Sequence, residues 1–229
     1  MNNGDFVRID YVGRLETGEI FDLTKEDLAK KEKVYNKNIK YKPIPVIIGK
    51  GFVIPGLDKA LLGMNVGDSK NIEVSPEDGF GHRDPKLIRV MPKKVFKDFE
   101  PKQGLIVDFG GMKGRIQSVT SNRIRVDFNN PLSGKKLLYE ISITEKIIDS
   151  SEQIKAIAEF FGIDNVEVKI DDNNASISCI SLPKEIKDRL SKIILDNVKI
   201  NDKDLEKIQF IETYQRKENK NPEPTSSEQ

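Results

Sequence analysis

The sequence predicts an α+β protein assembled from small modules. The chain has 229 residues, of which 33% are charged and 37% are hydrophobic, a composition that provides ample surface and only modest cores. Short segments with the two-residue hydrophobic period of β-strands alternate with short helical segments, and this pattern changes near residues 86 and 150. These observations favour several small domains over one thick core, and the length allows two or three of them.

The N-terminal segment alternates as a half-buried strand does. Val7, Ile9 and Tyr11 share one face, and Arg8 and Asp10 take the other. The next elements are expected to be a strand at 20–22, a charged helix opened by a capping box of Thr24 and Asp27, a strand at 44–48, a short helix at 55–62 and a strand at 68–74.

Short strands dominate the middle of the chain. The loop at 75–81 holds Phe80 between two glycines, which makes it a candidate pocket wall. We then expect strands at 87–90, 105–109, 115–119 and 123–128, a helical patch at 92–96, and a return strand at 137–143.

A different kind of domain begins near Ser150. Apolar residues at helical spacing, behind a serine cap and before Gly162, predict a helix. A hairpin of strands 166–170 and 175–179, a second helix at 186–194 and a last strand at 208–214 should follow. Residues 218–229 lack any large apolar side chain and are expected to be disordered.

Conventional catalytic and binding groups are scarce. A single cysteine, Cys179, and a single histidine, His82, exclude an internal disulfide and a Cys/His zinc site. The formal net charge of +1 excludes a general attraction to nucleic acid. No apolar run is long enough for a membrane span and the N-terminus does not resemble a secretory signal, so we expect a soluble cytoplasmic protein without metal or cofactor.

Isomerisation of an X–Pro peptide bond needs none of these groups. The reaction breaks no bond, but loss of resonance gives it a barrier of roughly 18–20 kcal/mol, so it takes tens to hundreds of seconds when uncatalysed. The planar amide is more polarised than the twisted one. A dry apolar pocket therefore favours the twisted state, provided that a few hydrogen bonds hold the neighbouring carbonyls.

Several motifs point to a family that performs this reaction. In order along the chain they are Tyr11-Val12-Gly13, Gly18-Glu19-Ile20-Phe21-Asp22, residues 48–57, residues 60–64, Val66-Gly67-Asp68 and residues 76–81. In order and spacing they resemble the motifs of FKBP-type peptidyl-prolyl cis-trans isomerases. Residues 129–135 resemble the return segment of SlyD-type members, which carry an insert-in-flap chaperone domain, and the C-terminal module resembles that of long archaeal FKBP-type proteins.

The resemblance implies a fold and a domain plan. We expect an FKBP-like antiparallel sheet wrapped on a short helix in residues 1–85 and 129–149. A β-rich insert-in-flap domain at 86–128, a separate α+β domain at 150–217 and a disordered tail at 218–229 complete the plan.

The resemblance also implies a proline pocket. Leu57 would be its floor, Asp22 its polar rim, and the Ile54 N–H a donor to a substrate carbonyl. Its walls would be Tyr11, Phe21, Val53, Ile54, Phe80 and Tyr139, with Ile44 where a further pocket residue is common. The alternative is that these are ordinary core residues of a small β-barrel. Phe80 replaces a frequent tyrosine and Asn130 a frequent histidine, so macrolide binding is less expected than isomerase activity.

The insert carries ten basic residues against four acidic ones, a net charge of +6. Met91, Phe96, Phe99, Phe109 and Met112 would form an adaptable apolar surface ringed by this charge. Such a surface suits unfolded or nascent chains with X–Pro bonds, or a ribosome surface. The alternative is a solvated basic face over a small core.

Two functions remain open from the sequence. The first is an isomerase with chaperone activity that accelerates proline-limited folding, and the second is a holdase or binding module with little turnover. The small C-terminal domain is expected to form a homodimer, because a short sheet leaves an edge or a face uncovered. A monomeric domain with two helices over one face is the alternative.

Overall fold

A computed structural model describes residues 1–96 and 99–212. The chain divides into two compact units, the first formed by residues 1–146 and the second beginning at Ile147. The described residues form four short α-helices and several separate, mainly antiparallel β-sheets, which confirms the predicted α+β class. Among these residues no helix has the length and the apolar composition that a bilayer crossing requires.

The described part of the first unit contains nine strands and two helices. In chain order they are β1 (Phe6–Leu15), β2 (Ile20–Leu23), α1 (Glu26–Lys31), β3 (Ile44–Ile47), α2 (Pro55–Leu61), β4 (Ser69–Val74), β5 (Ile88–Pro92), β6 (Ile106–Phe109), β7 (Met112–Val119), β8 (Arg123–Asp127) and β9 (Leu137–Lys146).

A five-stranded antiparallel sheet forms the body of this unit. Its order is β2-β1-β9-β4, and β3 pairs with the beginning of β1. The alternation in β1 turns Val7 and Ile9 into the core. Helix α2 lies on this buried face, where Leu57 and Leu61 pack in the same core cluster. The hydrophobic pattern therefore decides which side of the sheet the helix covers.

The predicted capping box at Thr24 is wrong. Helix α1 starts after Lys25, whose side chain makes no capping hydrogen bond. Thr24 is buried instead, and its hydroxyl donates to Asp10 Oδ1 at 2.6 Å and accepts from the Tyr11 N–H at 3.0 Å. The threonine thus joins β1 to the end of β2, and this tertiary contact takes precedence over capping.

The insert is a small four-stranded antiparallel sheet in the order β5-β8-β7-β6. One face carries its core, and the predicted helical patch is a single 3₁₀ turn, Lys93–Val95. The buried core residues are Phe96, Val107, Ile116, Ile124 and Val126.

A polar clasp, buried at Asp127 and Asn129, holds the two chain segments that join the insert to the main sheet. The Asn129 carboxamide accepts from the Asp84 N–H at 2.8 Å and donates to the Asp84 carbonyl at 3.1 Å. It also donates to Asp127 Oδ1 at 2.8 Å, and Asp127 forms an ion pair with Arg83. Because its polar groups bond to one another, the clasp fixes the two connecting segments relative to each other.

The second unit has two helices and five strands in its described residues. They are α3 (Ser150–Phe160), β10 (Glu167–Asp171), β11 (Asn174–Cys179), α4 (Lys184–Asn197), β12 (Lys199–Ile200), β13 (Lys203–Asp204) and β14 (Lys207–Glu212). The main sheet has the order β10-β11-β14, in which β11 and β14 run parallel.

One local prediction in this unit is wrong. The residue that caps α3 is Asp149 and not a serine, since its carboxylate accepts from the Glu152 N–H at 2.9 Å. Ser150 donates instead to the Lys199 carbonyl at 2.7 Å. The predicted strand residue Tyr214 and the predicted tail at 218–229 lie outside the described residues.

Candidate active site

Three aromatic rings meet on the main sheet. The Phe21 ring contacts Tyr139 edge-on, with ring centroids 5.6 Å apart, and the Tyr11 ring lies tilted against Tyr139 at 6.1 Å. These residues come from three neighbouring strands, β2, β1 and β9, so the sheet itself sets their spacing. Edge and tilted contacts of this kind are favourable between aromatic rings.

Gly13 makes room for this cluster. It lies on β1 opposite Asp22 and Tyr139, and a Cβ atom at this position would come within 2.6 Å of the Phe21 ring and 3.0 Å of the Tyr139 ring. Any other residue would displace a ring, because real Cβ contacts are never this short. The predicted Tyr-Val-Gly motif therefore has a steric reason in this fold.

The floor and one wall come from α2 and the loop before it. Leu57 is buried in the main core, and Val53 and Ile54 pack against the same cluster. The Asp58 carboxylate holds the preceding loop by accepting from the Gly49 N–H at 3.0 Å and the Gly51 N–H at 3.2 Å. This arrangement fixes the wall residues relative to the floor.

The backbone before α2 offers one hydrogen-bond donor. Pro55 occupies the start of the helix, and Ile54 has the extended conformation of an N-cap residue. Within residues 1–96 and 99–212 no acceptor is found for the Ile54 N–H. This N–H is the group that the resemblance implies as a donor to a substrate carbonyl, and that role stays a prediction.

The return segment after the insert positions the opposite wall, Phe80. The Ser133 hydroxyl donates to the Phe80 carbonyl at 2.9 Å, and the Gly134 N–H donates to the Gly81 carbonyl at 2.7 Å. Ser133 is buried, so this contact is shielded from competing water. The Phe80 loop is thereby fastened to a segment more than fifty residues away along the chain.

Asp22 supplies the exposed polar rim. Its Oδ2 accepts a hydrogen bond of 2.7 Å from the Tyr11 hydroxyl. Burial, followed by the nearby Asp22 carboxylate, raises the pKa of Tyr11 well above its usual range, and the same two causes raise that of Tyr139. Both phenols therefore stay neutral around physiological pH, and Asp22 holds the Tyr11 ring in one orientation.

The predicted pocket residues converge in space. Leu57 and Tyr139 belong to the main core cluster, and the other apolar members pack against it while remaining partly accessible, namely Tyr11, Phe21, Ile44, Val53, Ile54 and Phe80. The cluster thus places partly accessible apolar and aromatic side chains in the same part of the fold as the Tyr11–Asp22 pair. The role of each residue in binding stays a prediction.

Sequence reasoning missed several residues that shape the site. Phe52 and Leu132 also pack against the cluster, and Gly13 and Ser133 position its walls. The Asn-Pro-Leu-Ser-Gly pattern at 130–134 marks a turn. It does not indicate that the turn returns to Phe80.

The predicted client surface of the insert is only partly at the surface. Phe96 is 6% exposed and forms the centre of the insert core, so the expectation that it faces solvent is wrong. Its ring packs edge-on against Phe109 at 5.4 Å, and Met91 also packs against this core. Phe99 and Met112 are 41% and 43% exposed and lie at the surface.

The remaining reactive side chains lie elsewhere. His82 is exposed and its Nε2 lies 2.6 Å from Glu77 Oε1. Cys179 is buried on β11, and this burial raises the pKa of its thiol. No group of three or more His, Cys, Asp or Glu side chains suited to a metal ion occurs among the described residues.

Two family models match parts of this chain. The family model described as FKBP-type peptidyl-prolyl cis-trans isomerase matches residues 1–97, and one described as the IF domain of FKBP26 matches residues 89–132. A short-type peptidyl-prolyl cis-trans isomerase of Methanocaldococcus jannaschii is 37% identical over 147 residues, 63% of this chain and 93% of the relative.

Two bacterial proteins are similar over a comparable stretch. The FKBP-type 16 kDa isomerase of Escherichia coli is 32% identical over 131 residues, 55% of this chain and 86% of that protein. The isomerase SlyD of Helicobacter pylori is 29% identical over 128 residues, 54% of this chain and 69% of that protein.

Proposed function

The chain belongs to the FKBP-type peptidyl-prolyl cis-trans isomerases, and from this premise we propose that it isomerises X–Pro bonds in the pocket above Leu57 and holds client chains on its insert. The observation that carries the proposal is the convergence of partly accessible apolar and aromatic side chains around the buried Leu57, with a carboxylate at the rim. The clients would be cytosolic proteins whose folding is limited by proline isomerisation.

In the proposed mechanism the apolar walls of the pocket lower the barrier to isomerisation. A proline ring seated between Phe21, Phe80 and Tyr139 brings its amide into a poorly hydrated site. The planar amide loses more solvation there than the less polar twisted amide, so the barrier falls. The Ile54 N–H would donate a hydrogen bond to a substrate carbonyl beside the rotating bond. Part of the binding energy would thereby be used to orient the substrate.

The insert adds a second point of contact for long clients. Exposed Phe99 and Met112 offer adaptable apolar contacts, and the insert that carries them has a net charge of +6. A client held there is tethered near the pocket, which raises its effective concentration. Short peptides that occupy only the pocket would gain nothing from the insert.

The pocket is tested by removing one wall. Phe80→Ala should lower the kcat/KM for a short X–Pro peptide by about tenfold or more, since a tenfold loss needs only about 1.4 kcal/mol. Phe160→Ala in the second unit removes a half-exposed ring and is the matched control. If both variants retain full activity, the pocket lies elsewhere.

The insert is tested by replacing residues 86–128 with a short glycine-containing loop. Turnover of short peptides should persist, and catalysed refolding of a proline-limited protein should fall steeply. An equal loss on both substrates would mean that the insert only supports the fold. Refolding assistance without peptide turnover by the intact chain would identify a holdase instead.

A further inference from the structure

A cleft of about 390 Å³ lies where the insert meets the return segment. One side is formed by β6 and β7 of the insert and the other by residues between 129 and 135. Four cationic side chains line it, namely Arg83, Lys113, Arg115 and Lys135. A single carboxylate, that of Asp127, lines it as well, so the lining carries a net charge of +3.

The Asp127 carboxylate is already engaged within the protein. It is 5% exposed and forms an ion pair with Arg83. It also accepts from Gln117 Nε2 at 2.7 Å and from the Asn129 N–H and Nδ2 at 2.9 and 2.8 Å. Its oxygens are occupied by these donors, which leaves little capacity to neutralise the remaining cations of the cleft.

Those remaining cations, Lys113, Arg115 and Lys135, are exposed. None of the three forms an ion pair within the ranges that the structure describes, whereas other surface lysines pair with carboxylates, as in Lys25–Glu140, Lys59–Asp78 and Lys136–Glu73. The whole chain has a net charge of only +1. The fold thus concentrates positive charge in a concave site, where the field is focused and an anion relieves the repulsion.

Two further features indicate what kind of anion fits. Ile106 and Pro131 contribute apolar surface to the same cleft, which favours a ligand with both carboxylates and apolar groups, as a polypeptide has. Lys135 follows the Ser133 that holds the Phe80 carbonyl, and Arg83 lies three residues after Phe80. The cleft therefore shares its chain segments with a wall of the isomerase pocket.

We propose that this cleft binds the carboxylates of acidic segments that flank the target proline in client polypeptides. The inference deepens the proposed function and rests on it, because it assumes that the client enters the pocket beside Phe80. In this proposal the cationic side chains of the cleft select acidic clients, and the apolar surface of the insert does not.

Two matched peptides test the idea on the full-length protein. Both contain one X–Pro bond, and the flanking residues are glutamates in one peptide and glutamines in the other. The Kd of the glutamate peptide should be lower by about fivefold or more, as two or three partly exposed ion pairs allow. High salt should remove this difference, because it screens exposed charges.

Variants that remove charge from the cleft test whether it causes the preference for the glutamate peptide. Lys113→Gln combined with Arg115→Gln should abolish the preference for glutamate, and Lys135→Gln alone should weaken it. Lys94→Gln combined with Arg123→Gln removes the same charges from the insert outside the cleft lining and should keep the preference. Unchanged thermal unfolding of each variant would verify that it folds.

The outcomes separate the cleft from the pocket. Equal affinity for the two peptides, or a glutamate preference that survives in the cleft variants, overturns the cleft proposal. Tighter binding of inorganic phosphate or of a single-stranded oligonucleotide, lost in the same variants, also overturns it, since the ligand is then not a polypeptide. Failure to turn over the glutamine peptide overturns the proposed pocket instead.

Discussion

The Phe21 ring can occupy its position because Gly13 has no side chain. A methyl group at Gly13 would lie 2.6 Å from the Phe21 ring, so Gly13→Ala must displace this ring. We expect this variant to lower peptide kcat/KM by about tenfold, because a displaced Phe21 ring would no longer orient the bound substrate. A stopped-flow isomerisation assay measures the loss, and circular dichroism checks the fold. Unchanged activity would show that Phe21 does not line the pocket.

His82 and Cys179 are the residues that a conventional mechanism would use. The His82 ring is exposed and pairs with Glu77, and Cys179 is buried on β11. The double variant His82→Ala, Cys179→Ala should keep peptide isomerisation within about threefold, since the proposed mechanism needs no acid, base or nucleophile. Asp22→Ala should lower it by an order of magnitude. A large loss in the double variant would contradict the desolvation mechanism.

The two raised tyrosine pKa values give a prediction for alkaline pH. Tyr11 and Tyr139 stay neutral in the folded protein above about pH 10, where unfolded tyrosines ionise. The unfolded state then binds fewer protons, so the stability from these phenols is complete below about pH 10 and declines as the pH rises beyond it. Urea unfolding at increasing pH should show a smaller decline for Tyr11→Phe than for the exposed control Tyr35→Phe. Equal declines in both variants would refute the assignment.

Residue types at the pocket were predictable, and their positioning contacts were not. The motifs that contain Phe21, Leu57 and Phe80 indicated the family, and these residues do converge. The hydrogen bond from Ser133 to the Phe80 carbonyl joins segments 53 positions apart. Single-sequence patterns describe local periodicity, so contacts of this range leave no periodic signal.

At the level of elements, the clasp around Asn129 connects the insert with the main sheet. Asn129→Ala would leave the Asp84 N–H without its acceptor and remove one donor to Asp127. We expect the free energy of unfolding to fall by about 1–3 kcal/mol, the usual cost of an unsatisfied buried polar group. Refolding of a protein substrate should suffer more than peptide turnover, because the orientation of the insert is loosened.

The exposed neighbour Asn130 provides the control for this prediction. Among the residues that the structure describes, its side chain accepts only the local Leu132 N–H at 2.8 Å, so Asn130→Ala should change the stability by less than the Asn129 variant does. Chemical denaturation and paired activity assays measure both effects. Equal destabilisation by the two variants would mean that the clasp has no special role.

Strands were easier to predict than caps and strand partners. Alternation in β1 and β9 identified both the strands and their buried faces, since each face follows directly from the two-residue period. Thr24 was misassigned because its hydroxyl had a tertiary partner, Asp10, that competes with capping. The parallel pairing of β11 with β14 skips a helix, and neither strand carries a signal for its partner.

At the scale of the whole molecule, the second unit leaves sheet edges unpaired. Strands β10 and β14 each pair only with β11 within the described residues. Ile180 and Ile211 are also exposed near this sheet. A unit this small gains from covering such edges with a second copy, and a two-fold axis would do so symmetrically. We therefore expect the protein to be a dimer through this unit.

Light scattering at tens of micromolar protein tests this arrangement. The full chain should have the mass of a dimer, and a chain ending at Asp149 should have that of a monomer, because the first unit is compact by itself. Ile211→Lys should weaken the dimer without truncation, since a lysine on an edge strand opposes pairing. A monomeric full chain would refute the dimer.

In a dimer, two isomerase sites act on one client. The full chain should therefore catalyse the refolding of a protein with several prolines faster than the shortened chain does, while peptide turnover per site stays equal.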